Sequence, residues 1–267
     1  MTGELMVFIV LLVAYLGSFL AHLAYFYYPE WLRVAKASDW IILSIHTVFL
    51  VLRISHGYLP IFALADAILF LAWFLLFSYI VLDRSLRLRS LGVFVIPVIA
   101  GLLFYAAFLP KSPVSFVSIS HWLIFHVFLA LISYGAFSFA FAASIMYILQ
   151  ERQLKSKVFQ GIYFRLPSLA VLERLSYHMA LLGTPLLGIS LVFGAIWANV
   201  SWGSYWSWDP KQNWTLVTLI IYSTYLLGYN LFQWRGKRAA YILIGGYVSV
   251  LVNLLLVNWL LTTLHVF

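Results

Sequence analysis

The 267-residue chain contains no cysteine. It can form no disulfide and offers no thiolate as nucleophile or metal ligand, so any redox thiol chemistry belongs to a partner. Charge is scarce: 9% of residues are Asp, Glu, Lys or Arg, against roughly 25% in a soluble domain. Only eight residues are acidic. Glu4, Asp66, Asp83 and Glu173 fall near the ends of apolar segments, and no acidic residue is expected at mid-depth. That weakens any reading as a proton-coupled transporter or pump. Sequence repeats and low-complexity linkers are missing too, and no stretch is left over for a separate soluble domain.

What fills the chain is hydrophobicity, at 64% of residues. A helix needs about 20 apolar residues to cross the hydrocarbon core of a bilayer. Eight segments approach that: 5–28, 39–55, 62–82, 91–109, 121–149, 176–198, 213–233 and 239–264. The expected fold is an all-α integral membrane protein with about eight transmembrane helices, organised as a single membrane domain over 1–267. The first segment has neither a basic leader nor a small-residue cleavage site, so it reads as a permanent helix. Pro97 and Pro185 sit inside spans and are expected to kink them. Leu166, Leu169, Leu172 and Leu175 recur at three-residue spacing after Ser168, which predicts a short capped amphipathic helix at the inner interface.

The 16 Lys and Arg residues are unevenly placed. Thirteen lie in the alternate connections 29–38, 83–90, 150–175 and 234–238, and three in the others. Basic short loops stay in the cytoplasm. The expected topology in the plasma (inner) membrane therefore puts both termini outside, together with the loop between the sixth and seventh spans. The basic excess is topological. No basic run is interleaved with stacking aromatics in a water-exposed domain, so the surrounding partner is the lipid bilayer and not nucleic acid.

That outer loop reads "WGSYWSWDPKQNW" from Trp202 to Trp214. Asp209, Pro210 and Gln212 make a helix start: Asp209 as N-cap, Pro210 at the first helical position, Gln212 reaching back as a capping box. Trp197, Trp202 and Trp214 suit an interfacial belt. Trp206 and Trp208 beside Tyr205 exceed what a belt needs and suggest a binding surface. Of the seven histidines, His22 and His178 are expected near the inner surface and His46 near mid-membrane. His56, His121, His126 and His265 share the side of the loop. His126 lies on one helix face with Trp122, and His265 with Asn258. Neutral imidazole is a good iron ligand, and two can hold a haem from both axial sides. Interface histidines of purely structural role fit the same positions.

The segment "WANVSWGSYWSWDPKQNW" resembles the tryptophan-rich WWD segment, here 197–214, of haem-handling proteins of cytochrome c biogenesis of the CcsA/ResC type and their HemX-like relatives. "WLIFHVFLALISYGAFSFAFAASIMYILQERQLKSK" and "GKRAAYILIGGYVSVLVNLLLVNWLLTTLHVF" resemble the family's two histidine-bearing flanking helices, and the likeness is clear over 121–267. The resemblance implies haem b (iron protoporphyrin IX) held at the outer face, with His126 and His265 as axial iron ligands. It implies that Trp202, Trp206, Trp208 and Asp209 shape a platform. It further implies presentation of the haem to the CxxCH motif of an apocytochrome c, as in the CcsA-like subunit of a cytochrome c haem lyase. A ResB/CcsB-type membrane partner is implied because this chain has no sizeable outer domain. Two departures stand out. Gln212 replaces the family's usual glutamate. Leu227, in "STYLLGY", occupies the position of a helix histidine, which leaves His46 as the only spare mid-depth imidazole and keeps a HemX-like haem-binding regulator in view. A membrane transporter is the remaining alternative, one that would need polar sites or broken helices at mid-membrane.

Overall fold

A computed structural model describes residues 2–56, 63–86, 88–109, 120–157 and 164–257. Among these the chain is helical without strands. Its elements are α1 (Thr2–Tyr27), α2 (Trp31–Ser55), α3 (Leu64–Leu86), a 3₁₀ turn (Arg89–Leu91) leading into α4 (Gly92–Ala107), α5 (His121–Ser156), α6 (Leu169–Trp202), α7 (Pro210–Leu231) and α8 (Gly236–Leu251). A π-helical turn, Val252–Leu256, continues α8. The all-α membrane architecture expected from composition is the one observed.

Seven of the helices among the described residues are long and apolar enough to cross a membrane. The eighth, α7, has the length for a crossing, about 33 Å at 1.5 Å per residue, but not the hydropathy. The reason is a polar inner face. Gln212, Thr215, Thr218, Tyr222 and Tyr225 are all buried on it, and they meet hydrogen-bonding partners rather than lipid. Two other boundaries differ from the sequence expectation. The amphipathic stretch after Ser168 is no separate helix: α6 runs unbroken from Leu169 through Pro185 to Trp202. Likewise α2 begins at Trp31, two turns ahead of the expected span, so Asp39 lies inside a helix and not at its edge.

The chain divides into two compact units, 1–115 with 149–168, and 116–148 with 169–267. In the first unit α1 packs on α2 and α4, and α3 packs on both α4 and α2. Met6, Val13 and Leu20 repeat every seven residues on the uncovered face of α1, an apolar stripe suited to lipid. The interior is not purely apolar. Buried Asp39 accepts hydrogen bonds from Ser18 Oγ (2.7 Å) and His22 Nε2 (2.9 Å), both on α1. Tyr15 OH bonds His46 Nδ1 (2.9 Å), and Arg53 Nε pairs with Asp66 Oδ1 at 2.6 Å, both side chains almost fully buried. A burial this deep is tolerable only because each charge has a hydrogen-bonded counterpart.

In the second unit α7 packs between α6 and α8. Trp214 Nε1 donates to Ser249 O (2.9 Å), Thr218 Oγ1 bonds Ser249 Oγ (2.7 Å), and Asn253 Nδ2 donates to Thr215 Oγ1 (2.9 Å) and Tyr134 OH (3.2 Å). In an apolar surround such bonds substitute for hydrophobic attraction between helices. On α5, Ser133 Oγ donates to Gly183 O (2.9 Å) and Ser138 Oγ to Tyr247 OH (2.9 Å). Gly183 lets the Phe137 ring lie against α6, because a Cβ there would sit 2.5 Å from a ring carbon. Phe137 in turn stacks on Tyr222, with centroids 3.5 Å apart.

Candidate functional site

The loop between α6 and α7 is built by two opposite terminal devices. Gly203 ends α6 in the left-handed region (φ 77°), its N–H closing on Asn199 O at 2.9 Å. Glycine takes that conformation without strain. Asp209 then starts α7: its Oδ1 accepts the Lys211 N–H (2.9 Å), with Pro210 at the first helical position. This is the N-cap the sequence predicts. Gln212 departs from the expected capping box. Its Oε1 accepts from Ser207 N and Ser207 Oγ, each at 3.1 Å, and not from the cap residue's own N–H. The cause is Trp208, which adopts a left-handed conformation (φ 57°) and folds Ser207 back over the helix start. Asn213 Nδ2 clamps this turn by donating to Trp208 O at 2.7 Å.

A left-handed tryptophan is costly, about 1–3 kcal/mol for a non-glycine residue, and such strain clusters at functional positions. Here it throws the indole outward: Trp208 is 75% exposed and Tyr205 60%. Trp206 lies half-buried against it, edge to face at 6.1 Å. Trp202, at the end of α6, meets Trp197 edge to face at 5.0 Å. Buried Asp209 anchors the helix start, so its role in the loop is structural capping. Lys211 lies ahead of the 213–233 span, and burial pushes its ammonium down to about 7 against the opposing pull of Asp209.

His126 occupies the second turn of α5. Its Nδ1 lies 2.8 Å from Ser190 O, and Ser190 Oγ donates to His126 O at 2.8 Å while approaching Nδ1 at 3.1 Å. A carbonyl can only accept, so Nδ1 carries the proton and Nε2 presents its lone pair. No hydrogen bond from a described residue reaches Nε2. This is the arrangement by which metal-ligating histidines are oriented. Gly194 makes it possible, since a Cβ there would stand 2.7 Å from Nδ1. Phe193, next to Gly194 on α6, stacks with both Trp122 (5.8 Å) and Phe125 (5.4 Å) of α5, and Trp122 and Phe125 are exposed. The Lys211 charge lies within electrostatic range of the His126 ring. Ser190, Gly194 and Trp197 follow one face of α6 toward Trp202 and the loop, which begins about 12 Å along the helix from Gly194.

The other sequence candidates separate clearly. His265 lies outside the described residues, as does Asn258. His46 is buried and bonded to Tyr15, and His22 is buried and bonded to Asp39. His56 and His178 are exposed and turn Nδ1 onto the carbonyls of Leu52 and Arg174, each at 2.7 Å. His121 is exposed. Leu227 is 57% exposed on α7, on the face opposite the buried Tyr222 and Tyr225. Sequence reasoning missed Ser190 and Gly194 as partners of His126. A serine and a glycine four residues apart, among other small residues of α6, give no sign of the imidazole they face.

The fold and the site define a polytopic helical protein with an exposed indole loop between α6 and α7 and an oriented imidazole on α5. The comparisons narrow that class. The family described as Cytochrome C assembly protein matches residues 61–265. Relatives include the cytochrome c biogenesis protein CcsA of Guillardia theta, 34% identical over 79% of this chain and 77% of that protein. CcsA of Gloeobacter violaceus is 29% identical over 86% and 84%. The fold is similar to that of a solved cytochrome c haem lyase, CcmF, with a TM-score of 0.67 at 16% identity, covering 93% of this chain and 45% of that one. The chain thus spans less than half the length of CcmF. The chain belongs to the cytochrome c assembly protein family.

Proposed function

We propose that this protein binds haem at the aromatic loop and presents it for covalent attachment to an apocytochrome c. The observation that carries the reading is the His126 geometry: a ring held through Nδ1–H by the Ser190 carbonyl, with Nε2 left to a metal. The donor set fits a haem. Imidazole nitrogen suits iron, exposed indoles suit the porphyrin faces, and Lys211 suits a propionate. His126 and His265 would hold the haem iron; Trp202, Trp206 and Trp208 would form the platform, and Asp209 would hold its shape through the α7 cap.

Bound haem supplies vinyl groups as acceptors for the two substrate thiols. The chain's own part is orientation. Ser190 and Gly194 fix the imidazole, and the left-handed Trp208 turn fixes the indoles. The substrate is an apocytochrome c with a CxxCH motif, whose thiols this cysteine-free chain must receive reduced. A ResB/CcsB-type membrane partner supplies the grip on that substrate, and the loop lies on the extracytoplasmic side of the plasma membrane. Purified full-length protein should carry a Soret band that a His126→Ala, His265→Ala double variant lacks; a colourless wild type overturns the reading.

A second reading, a HemX-like haem-binding regulator without ligation activity, is favoured by Leu227, whose exposed aliphatic side chain cannot ligate iron. Co-expression with a reporter apocytochrome and the partner separates the two. Covalent haem on the reporter supports attachment, and its absence with haem still bound to this chain supports regulation.

A further inference from the structure

Trp214 closes the tryptophan-rich segment and has no part in the haem reading. In the sequence it suits an interfacial belt, where an indole N–H is left to water. The structure uses that N–H differently: Nε1 donates to Ser249 O on α8 at 2.9 Å. Trp214 stands in the second turn of α7, directly behind the cap at Asp209. Thr218, about one turn further along, reaches the same residue, its Oγ1 lying 2.7 Å from Ser249 Oγ.

These bonds end beside an irregular stretch of backbone. Past Ser249, α8 widens into the π-helical turn Val252–Leu256, where the Val257 N–H reaches Val252 O, five residues back. Such turns are rare and occur frequently at functional sites. Asn253 lies inside this one and is 5% exposed. Its Nδ2 donates to Thr215 Oγ1 on α7 (2.9 Å) and to Tyr134 OH on α5 (3.2 Å). Thr215 Oγ1 donates in turn to Lys211 O (2.7 Å). The π-turn is thereby tied to two helices at once. One is α5, on which Tyr134 stands about 12 Å along the axis from His126. The other is the start of α7, from which the aromatic loop hangs.

Stability alone does not account for an asparagine at this place. Its Oδ1 is buried with no hydrogen-bond partner among the described residues, and a half-satisfied amide in an apolar surround is worse for stability than an apolar side chain. What the amide supplies is direction. Helices in lipid gain little from apolar contact with one another, so hydrogen bonds between them fix their relative placement. We propose that Trp214 and Asn253 are positioning residues of the haem site: by holding the π-turn of α8 against α7 and α5, they set the placement of the indole loop relative to His126. This role rests on the haem-binding reading for its purpose, and its geometry can be tested without haem.

The chain has no cysteine, so spin labels can be attached at chosen positions. Phe125→Cys on α5 and Tyr205→Cys in the loop replace two exposed side chains. Pulsed electron paramagnetic resonance on the full-length, haem-free chain then reads the distance between the two elements. Without further change it should be a single narrow distance. Trp214→Phe keeps an aromatic ring but loses the N–H, and Asn253→Leu keeps a branched side chain but loses the amide. Each should lose the single distance and give a broad distribution. Without the labels and with haem bound, each should also lose the wild-type Soret circular dichroism, which reports how a porphyrin lies against neighbouring aromatic rings. Melting temperature should change by only about 2–4 °C. A purely structural role predicts the opposite pattern, a lowered melting temperature with distance and dichroism unchanged. A folded Trp214→Phe or Asn253→Leu that keeps the narrow distance overturns the proposal. A colourless wild type overturns the haem reading instead, and the haem-free distances still decide whether these two residues place the loop.

Discussion

At the scale of single residues, the His126 site depends on what is missing at position 194. A methyl group there would stand 2.7 Å from Nδ1, and the surrounding helices leave little freedom to move the ring away. Gly194→Ala should therefore push the ring off the Ser190 carbonyl and weaken haem retention about 10- to 100-fold, the usual effect of losing a ligand-orienting contact. Equilibrium haem titration of the folded variant checks this. Trp208 behaves oppositely for stability and function. Its left-handed backbone favours glycine, so Trp208→Gly should raise stability by about 1 kcal/mol while removing the most exposed indole of the loop and lowering haem retention. Thermal unfolding and Soret intensity, measured on the same sample, should move in opposite directions. Lys211 gives a pH signature. Its ammonium, ordinarily near ~10.4, is pushed down to about 7 by burial, so it is charged below that pH and neutral above it. A carboxylate ligand binds the charged form, so haem retention should fall as pH rises through 7. Lys211→Arg, charged throughout, should remove the step.

At the scale of elements, the sequence was most legible where hydrophobic runs are long and least legible where helices extend past them. Among the described residues seven helices have both the length and the hydropathy of a crossing, and their cores were legible from apolar runs alone. Their ends were not, because polar residues buried against a neighbouring helix look like loop residues in a sequence. Asp39 shows the consequence: it stands first in the apolar run 39–55, whereas it is buried two turns into α2 with His22 and Ser18 as partners. The polar face of α7 is a second case, where hydropathy understates a helix whose threonines, glutamine and tyrosines face inward. The helix start at Asp209 was legible because capping is local chemistry. The actual reach of Gln212 to Ser207 was not, because it depends on the unforeseen left-handed turn at Trp208. Two element-level outcomes are expected. Asp209→Ala should destabilise the start of α7 by about 1 kcal/mol, read as faster amide exchange in its first turn. Asp66→Ala leaves the Arg53 guanidinium buried beside α3 without its carboxylate and should destabilise by about 3–5 kcal/mol. Loss of expression or a lowered melting temperature would report it.

At the scale of the whole molecule, family membership was carried by a short string of indoles and by two flanking helices, and the comparisons extend it across residues 61–265. His126 was singled out in the sequence by the family resemblance of the helix that carries it. The residues that orient it were not, since their role exists only once α5 and α6 are packed. The account's central claim is that the Nε2 nitrogen of His126 ligates iron beneath the aromatic loop. The most direct measurement is the optical and electron paramagnetic resonance spectrum of purified His126→Gly with and without added free imidazole. A ligating His126 predicts that the low-spin haem signature of the wild type disappears in the folded variant and returns when imidazole fills the vacated position. A variant that keeps the wild-type spectrum without imidazole would contradict the account.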